Sequence, residues 1–353
     1  MRTIEWIEET NNVRMIDQRL LPARFEYLTV NNADQMARAI REMAIRGAPA
    51  LGVAGAFAIA LEAVSNRHLP VTELVIRLNK AAQQLIAARP TAVNLAWGVN
   101  QLLSIVNQEG ITVDDLVSQL IAAARQLAEQ DVETNLKMAK YGASLIADGD
   151  TIIHHCNTGS LAVVDWGTAL GAIRFAHEQG KQIYVLVDET RPRLQGSRLT
   201  AWECEQYGIP YTIITDNMAG YFLRAGKVQK VFFGADRVAA NGDVANKIGT
   251  YMLSLAAYAN RVPVVCVFPF STLDPTIATG DEIPIEERDP SEVLNLSING
   301  EPVAPENAAA LNPAFDITPH NLISAWVTEE GVIVPPFHEN LAHYSYNRGL
   351  ENK

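Results

Sequence analysis

Apolar residues recur at helical spacing through most of the first 125 positions, in Ala33–Ile45, Thr72–Ala88, Val93–Val106 and Val113–Ala128. In that half only Phe25–Val30 reads as a strand. From about Leu145 the pattern changes, and short β-branched runs alternate with stretches of helical spacing. The runs are Thr151–His155, Gln182–Val187, Tyr211–Thr215, Gln229–Phe233 and Val262–Phe268. Between them lie Leu161–Gly180, Gly196–Gly208, Met218–Ala225 and Asn246–Ala259, each long enough for a crossover helix. Continuous apolar strands joined by helices predict a doubly wound parallel sheet buried on both faces. The expected fold is therefore α/β: a mainly helical domain over 1–125, then a Rossmann-like parallel-sheet domain over 126–353. The junction falls in a long helical segment within Ile121–Gly149. Past Phe270 the pattern breaks into Pro-marked turns such as Ile283–Arg288 and Leu311–Asp316, which suit a lid or an interface arm.

The 353 residues, 48% of them hydrophobic, are enough for a large core and favour two domains over one. Cys156, Cys204 and Cys266 are sparse and unpaired in spacing, which points to a reducing compartment and hence the cytoplasm. With Glu5, Glu8 and Glu9, Met1–Thr10 lacks the basic start and apolar core of a secretory signal, and no export is expected. Gly47–Leu61 is too short for a bilayer and Pro90–Gln108 is broken by polar residues, so no membrane span is expected. A formal net charge of −12 disfavours nucleic acid, because a phosphate backbone needs a basic stripe. An anionic substrate must then be met by a few placed Arg and Lys residues.

In an open parallel sheet, ligands sit beyond the carboxyl ends of the strands. That singles out Cys156–Ser160, Asp188–Arg191, Asp216–Asn217 and Asp236–Arg237. The segment Gly234–Tyr251 stands out: an acid after an apolar run, an Asn-Gly turn, and what reads as a helix headed by Asn246 and Lys247, a site for a small anion. Glycine-rich dinucleotide turns, Walker loops, nucleophile elbows, His-Glu-x-x-His helices and Cys-x-x-Cys pairs are all absent, which counts against dinucleotide, nucleoside triphosphate and structural zinc. Cys156 reads either as a small buried hydrophobe or, after the polar turn Asn157–Ser160 into a helix, as a thiol drawn toward thiolate. Asp236 reads as a helix cap, as a partner of Arg237, or as a carboxyl that keeps its proton because Val231–Ala235 is apolar. Arg46–Ala50 is either a turn with a solvated Arg or a grip on phosphate, where small residues let backbone N–H groups close on the anion. Arg89-Pro90-Thr91 reads the same way. His154 and His155 are neighbours in a strand and point to opposite faces, so packing or hydrogen bonding suits them better than one shared metal.

Arg46–Ala50, His155–Ser160, Asp188–Thr200, Asp216–Met218 and Gly234–Arg237 through Asn246-Lys247 occur in one order along most of the chain. Together they resemble the methylthioribose 1-phosphate isomerase family of methionine salvage. The resemblance implies the same two-domain fold, a homodimer, and conversion of a cyclic aldose 1-phosphate to the open-chain ketose without cofactor or metal. It places the family's essential thiol on Cys156 and its proton donor on Asp236. It places substrate contacts on Arg46, Gly47, Ala48, Arg89, Gln195, Asn246 and Lys247. Two relatives of that fold compete: a ribose 1,5-bisphosphate isomerase, and a non-catalytic regulatory subunit of the translation-initiation exchange factor type. A second phosphate would need further basic groups, and the chain has 28 Lys and Arg against 40 acids.

Overall fold

The computed structural model describes residues 1–89, 92–106, 110–337 and 339–340. Contacts divide the chain into two units, one of Met1–Leu136 with Gly159–Gly167, the other of Lys137–Thr158 with the chain from Thr168 onward. The division lies later in the sequence than the 125/126 junction expected above, and it returns a short segment after Thr158 to the first unit.

The first unit begins with an antiparallel sheet of β1 (Ile4–Ile7), β2 (Asn12–Ile16) and β3 (Tyr27–Val30). Two of these strands lie where the sequence pattern predicted none. Each is four or five residues long, too short for its alternation to stand out. Five helices follow: α1 (Ala33–Arg41), α2 (Ala48–Ser65), α3 (Val71–Ala88), α4 (Val93–Leu103) and α5 (Val113–Ser144). Helix α2 is apolar on every side and 13 of its 18 residues are buried, so it forms the centre of the unit's core. By length and composition it could cross a bilayer, contrary to the expectation that this stretch is too short, but it is mostly buried in protein. Its Gly52 packs against Gly98 of α4 so closely that a Cβ on Gly98 would overlap the Gly52 carbonyl.

The second unit is built on a seven-stranded sheet. Its strands are β4 (Thr151–His154), β5 (Tyr184–Asp188), β6 (Tyr211–Ile214), β7 (Lys230–Phe233), β10 (Val264–Val267), β15 (Ala325–Thr328) and β16 (Gly331–Ile333), ordered β16-β15-β10-β7-β4-β5-β6. All pair in parallel except the edge strand β16. Helices α6 (Ala169–Glu178), α7 (Ala201–Tyr207), α8 (Ala219–Arg224) and α9 (Thr250–Ala259) lie between strands. Alternate strand residues feed two clusters, Ile153, Val231, Phe233 and Cys266 in one and Ile152, Val185, Phe232 and Val265 in the other, as the two-residue period of a doubly covered sheet requires. A smaller sheet joins β11 (Leu273–Asp274), β8 (Arg237–Ala239), β9 (Val244–Lys247) and β14 (Phe315–Thr318) in that order. The Pro-marked region adds a short helix α10 (Ser291–Leu294) and a hairpin of β12 (Ser297–Ile298) with β13 (Glu301–Pro302).

Two expectations are corrected here. Asn246 and Lys247 do not head a helix; they end β9, which turns back on β8 through Asn241-Gly242 with Gly242 at φ 96°. Asn-Gly between apolar flanks is a hairpin signal, and here it outweighs the reading of a strand-to-helix turn. Likewise Leu161–Gly180 is not one helix. A 3₁₀ turn at Ser160–Ala162 precedes α6, which starts only at Ala169.

Candidate active site

In the order of the large sheet, β4 is followed by β5 and β6 on one side, and the chain then crosses to lay β7, β10 and β15 on the other. Strand order therefore reverses between β4 and β7, and ligands of such sheets bind beyond the carboxyl ends at that reversal. His154 of β4 pairs with Phe232 of β7, so the segments leaving these two strands start side by side. One carries Cys156 and the other Asp236.

Cys156 is 6% exposed and sits at φ 65°, a left-handed conformation that costs a non-glycine residue roughly 1–3 kcal/mol. The surroundings hold it there. Its N–H donates to Thr190 Oγ1 at 2.9 Å, and its carbonyl accepts the Thr200 hydroxyl at 2.6 Å. Thr190, just past β5, is itself left-handed at φ 63°, and its hydroxyl donates to the Asp188 carbonyl at 3.0 Å. The next residue, Asn157, donates to the buried Glu203 at 2.8 Å. No α-helix starts at the Asn157–Ser160 turn, contrary to the expectation from sequence; the next one along the chain, α6, begins at Ala169.

His155 and Asp188 form a buried pair, each side chain 1% exposed. Imidazole Nδ1 lies 2.9 Å from Asp188 Oδ2, and Nε2 lies 3.0 Å from the Ile248 carbonyl. A carbonyl only accepts, so Nε2 carries a proton, and a second proton must lie between Nδ1 and Oδ2. Burial opposes the charged imidazolium, yet Asp188 holds the histidine pKa above its usual value. Burial pushes the Asp188 carboxyl up to about 6, against the lowering effect of His155. His154, on the other face, stays neutral: burial and the neighbouring His155 take it down to about 3, with Nδ1 3.0 Å from the Phe232 carbonyl. Both histidines are thus hydrogen-bonded, as expected from their strand positions.

Among the described residues, His155, Asp188 and Asp216 bring ligand atoms within 4.8 Å of one another, the spacing a metal would need. Most of their ligand atoms are already engaged: Asp216 accepts the Thr190 and Arg191 N–H groups, both at 2.7 Å, and Asp188 Oδ2 is bonded to His155 Nδ1, which leaves Asp188 Oδ1. The group is organised as a hydrogen-bond network that fixes the loop after β5.

That loop folds back sharply. Leu194, at φ 58°, donates to the Thr190 carbonyl at 2.8 Å, and a Cβ on Gly196 would overlap the Asp188 carbonyl. Gln195 is 7% exposed, and its Oε1 has no partner among the described residues. Asp188 Oδ1 is in the same state. Asp188 and Gln195 both lie at positions singled out from the sequence, but their unpartnered acceptors could not be read there.

Asn246 is buried and donates to Thr250 Oγ1 at 2.9 Å. Lys247 Nζ donates to the Ala314 carbonyl at 2.6 Å and lies 4.6 Å from the centre of the Phe315 ring. Asp236 is exposed, with its N–H on the Ala245 carbonyl at 2.9 Å. The apolar run before it is buried while Asp236 itself is not.

In the first unit, Arg46, Gly47 and Ala48 lead directly into α2. Gly47 caps the helix at φ 90°, against the Ser160–Ala162 turn, where a Cβ would overlap Ala162. No side chain caps this helix and no acid lies in its first turn, which leaves the positive end of an 18-residue helix beside an Arg. The helix start that suits an anion is thus this one, not the one predicted at Asn246. Arg89 ends α3 as its C-cap; its neighbours Pro90 and Thr91 lie outside the described residues.

The chain matches the Initiation factor 2 subunit family over residues 44–335. It is 47% identical over 339 residues to a methylthioribose-1-phosphate isomerase of Synechococcus sp., covering 96% of this chain and 97% of that protein. The crystal structure of 5-methylthioribose 1-phosphate isomerase from Pyrococcus horikoshii superposes with a TM-score of 0.90 at 41% identity, covering 97% of this chain and 95% of that one. A structure from A. fulgidus, described as translation initiation factor eIF-2B subunit delta, superposes with a TM-score of 0.87 at 44% identity, covering 97% and 98%.

Proposed function

The chain belongs to the initiation factor 2 subunit family and, within it, to the methylthioribose-1-phosphate isomerases, and from that premise we propose that the edge of the sheet at β4 and β7 converts 5-methylthioribose 1-phosphate to 5-methylthioribulose 1-phosphate. The observation that carries the assignment of residues is the position of Cys156 and Asp236 after neighbouring parallel strands at the reversal of strand order.

Phosphate on the anomeric carbon removes the free hydroxyl through which an ordinary aldose opens, so ring opening needs a proton at the ring oxygen. Asp236 is assigned that donation, which turns the ring oxygen into the 4-hydroxyl. Hydrogen then passes from carbon 2 to carbon 1, the 2-hydroxyl gives up its proton as carbon 2 becomes the ketone, and the acid is restored. Cys156 is assigned to these carbons, where its buried, fixed position suits a group that shapes and screens the reacting face. Arg46, with the Gly47 and Ala48 backbone at the start of α2, is assigned to the phosphate, helped by Arg89. Gln195, Asn246 and Lys247 are assigned to sugar and phosphate oxygens. No cofactor or metal is assigned a step.

The exposed faces of α8 and α9 support a homodimer. Tyr251, Met252, Leu255 and Tyr258 recur at helical spacing along α9, with Met252 72% exposed, and Tyr221 projects from α8, which packs on α9. Three free cysteines support a reducing, cytoplasmic setting.

The test is to incubate the purified protein with methylthioribose 1-phosphate and follow ketose formation by NMR, with ribose 1,5-bisphosphate in parallel. Cys156→Ala and Asp236→Asn are expected to remain folded and lose turnover. Near-normal turnover by Asp236→Asn refutes its role as the acid. Turnover of the bisphosphate alone, or of neither sugar, favours the competing isomerase or a regulatory subunit.

A further inference from the structure

Asp188 is divided between two tasks. Oδ2 is committed to His155 at 2.9 Å, and the imidazole is pinned from the other side by the Ile248 carbonyl at 3.0 Å. Gly249 closes on the same ring, its Cα hydrogens where a Cβ would come within 2.9 Å of Cε1. The carboxyl cannot turn without breaking this chain. Oδ1 is left as an acceptor with no partner among the described residues, in a side chain 1% exposed. A buried acceptor without a donor costs about 1–3 kcal/mol, and more for a charged group, so the fold holds Oδ1 ready for something that is not protein.

A second orphan acceptor lies on the same folded-back loop. Gln195 Oε1 is buried and unpartnered, and Gly196 packs directly on the Asp188 carbonyl. Two acceptors at the carboxyl end of β5, beside the strand that carries Cys156, suit a ligand with hydroxyl donors. A phosphate offers none in its ionised form, and a thioether offers none at all.

We propose that Asp188 is a substrate-positioning residue whose Oδ1 accepts a ring hydroxyl of the pentose, with His155 serving to hold the carboxyl in that orientation. The inference rests on the isomerase reading above and adds to it a residue that orients the carbon 2–carbon 3 edge of the sugar. It assigns Asp188 no proton transfer.

The test compares wild type with Asp188→Ala on three sugars: methylthioribose 1-phosphate, its 3-deoxy analogue, and its 2-deoxy analogue, which cannot react. The readout is the ratio of wild type to variant, in kcat/KM for the first two and in Kd for the third. On the parent sugar the ratio is expected to be roughly ten- to a hundred-fold, the value of a hydrogen bond to a charged group. On one deoxy analogue it is expected to fall close to one, because the hydroxyl that Asp188 receives is already missing. Equal ratios on all three sugars mean a structural role and overturn the proposal. A ratio near one on the parent sugar means that Oδ1 holds a buried water only, and overturns it as well. Asp188→Asn keeps the test open should the alanine variant not fold. Its amide can donate to Nδ1 while its oxygen still accepts, so a smaller, several-fold loss is expected with the same dependence on one hydroxyl. Failure of wild type to turn over the parent sugar overturns the isomerase reading itself.

Discussion

Replacing Gly249 with Ala tests whether the start of α9 and the His155 ring form one packed unit. Gly249 sits at φ 105°, where a side chain is strained, and a built Cβ lies 2.9 Å from His155 Cε1 and 3.2 Å from Nε2. A flexible side chain could move aside, but this ring is hydrogen-bonded at both nitrogens and buried. The backbone cost is about 1–2 kcal/mol, and forcing a methyl group into a packed site adds about 1–3 kcal/mol. Gly180→Ala is the control: φ is 89°, and nothing lies within 4 Å of its Cβ position, so it carries the backbone cost alone. At about 2–4 °C per kcal/mol for a unit of this size, Gly249→Ala is expected to lower the melting temperature by on the order of 10 °C, and Gly180→Ala by roughly 4–5 °C. Differential scanning calorimetry measures both. Because His155 precedes Cys156, kcat is expected to fall with Gly249→Ala and to stay at wild-type level with Gly180→Ala. Equal melting temperatures and equal kcat for the two variants would refute the packing argument.

The same logic holds in the first unit, where Gly98→Ala drives a methyl group into the Gly52 carbonyl and is expected to cost about 1–3 kcal/mol; denaturant unfolding at wild-type midpoint would contradict it. His154 sets an acid limit on stability. Its folded pKa is taken down from 6.5 to about 3 by burial, so below pH 6.5 the unfolded chain binds a proton that the folded one refuses, and stability falls by up to about 1.4 kcal/mol per pH unit until pH approaches the folded value. His154→Gln is expected to flatten that slope between pH 6 and pH 4 in urea titrations, and an unchanged slope would remove His154 as its source.

The parallel sheet was legible because its strands are buried on both faces and read as unbroken β-branched runs. All five predicted runs became β4, β5, β6, β7 and β10, each shifted by a residue or two at its ends. What the runs could not show is where short antiparallel strands lie. Ile4–Ile7 alternates only as Ile, Glu, Trp, Ile, which a helix could equally use, and its pairing with Asn12–Ile16 is a tertiary fact. The hairpin at Asn241-Gly242 carried its own signal, since the flanking Arg237–Ala239 and Val244–Lys247 are short apolar-leaning runs around an Asn-Gly pair. A helix does begin nearby, but Gly249 caps it, and the acid that satisfies its first turn comes from β14, where Asp316 accepts the Gly249 N–H at 2.7 Å and the Tyr251 N–H at 3.1 Å. No local pattern predicts a cap supplied by a residue 67 positions away.

The candidate site shows the same split between position and environment. That Cys156 follows β4 and Asp236 follows β7 could be read from the apolar runs that precede them. Their surroundings could not. Cys156 is buried because Thr190 and Thr200, from two other segments, close on its backbone. Asp236 is exposed although Val231, Phe232 and Phe233 just before it are wholly buried, because the chain leaves the large sheet at Gly234 and enters the small one at Arg237. Apolar sequence neighbours describe the strand they belong to, and a residue three steps past its end has already changed environment. If Asp236 acts as an acid, its environment must come from elsewhere than its own strand; Asp188 and Gln195 were both singled out from sequence, but that each holds a buried acceptor without a partner is a tertiary fact that no local pattern carries.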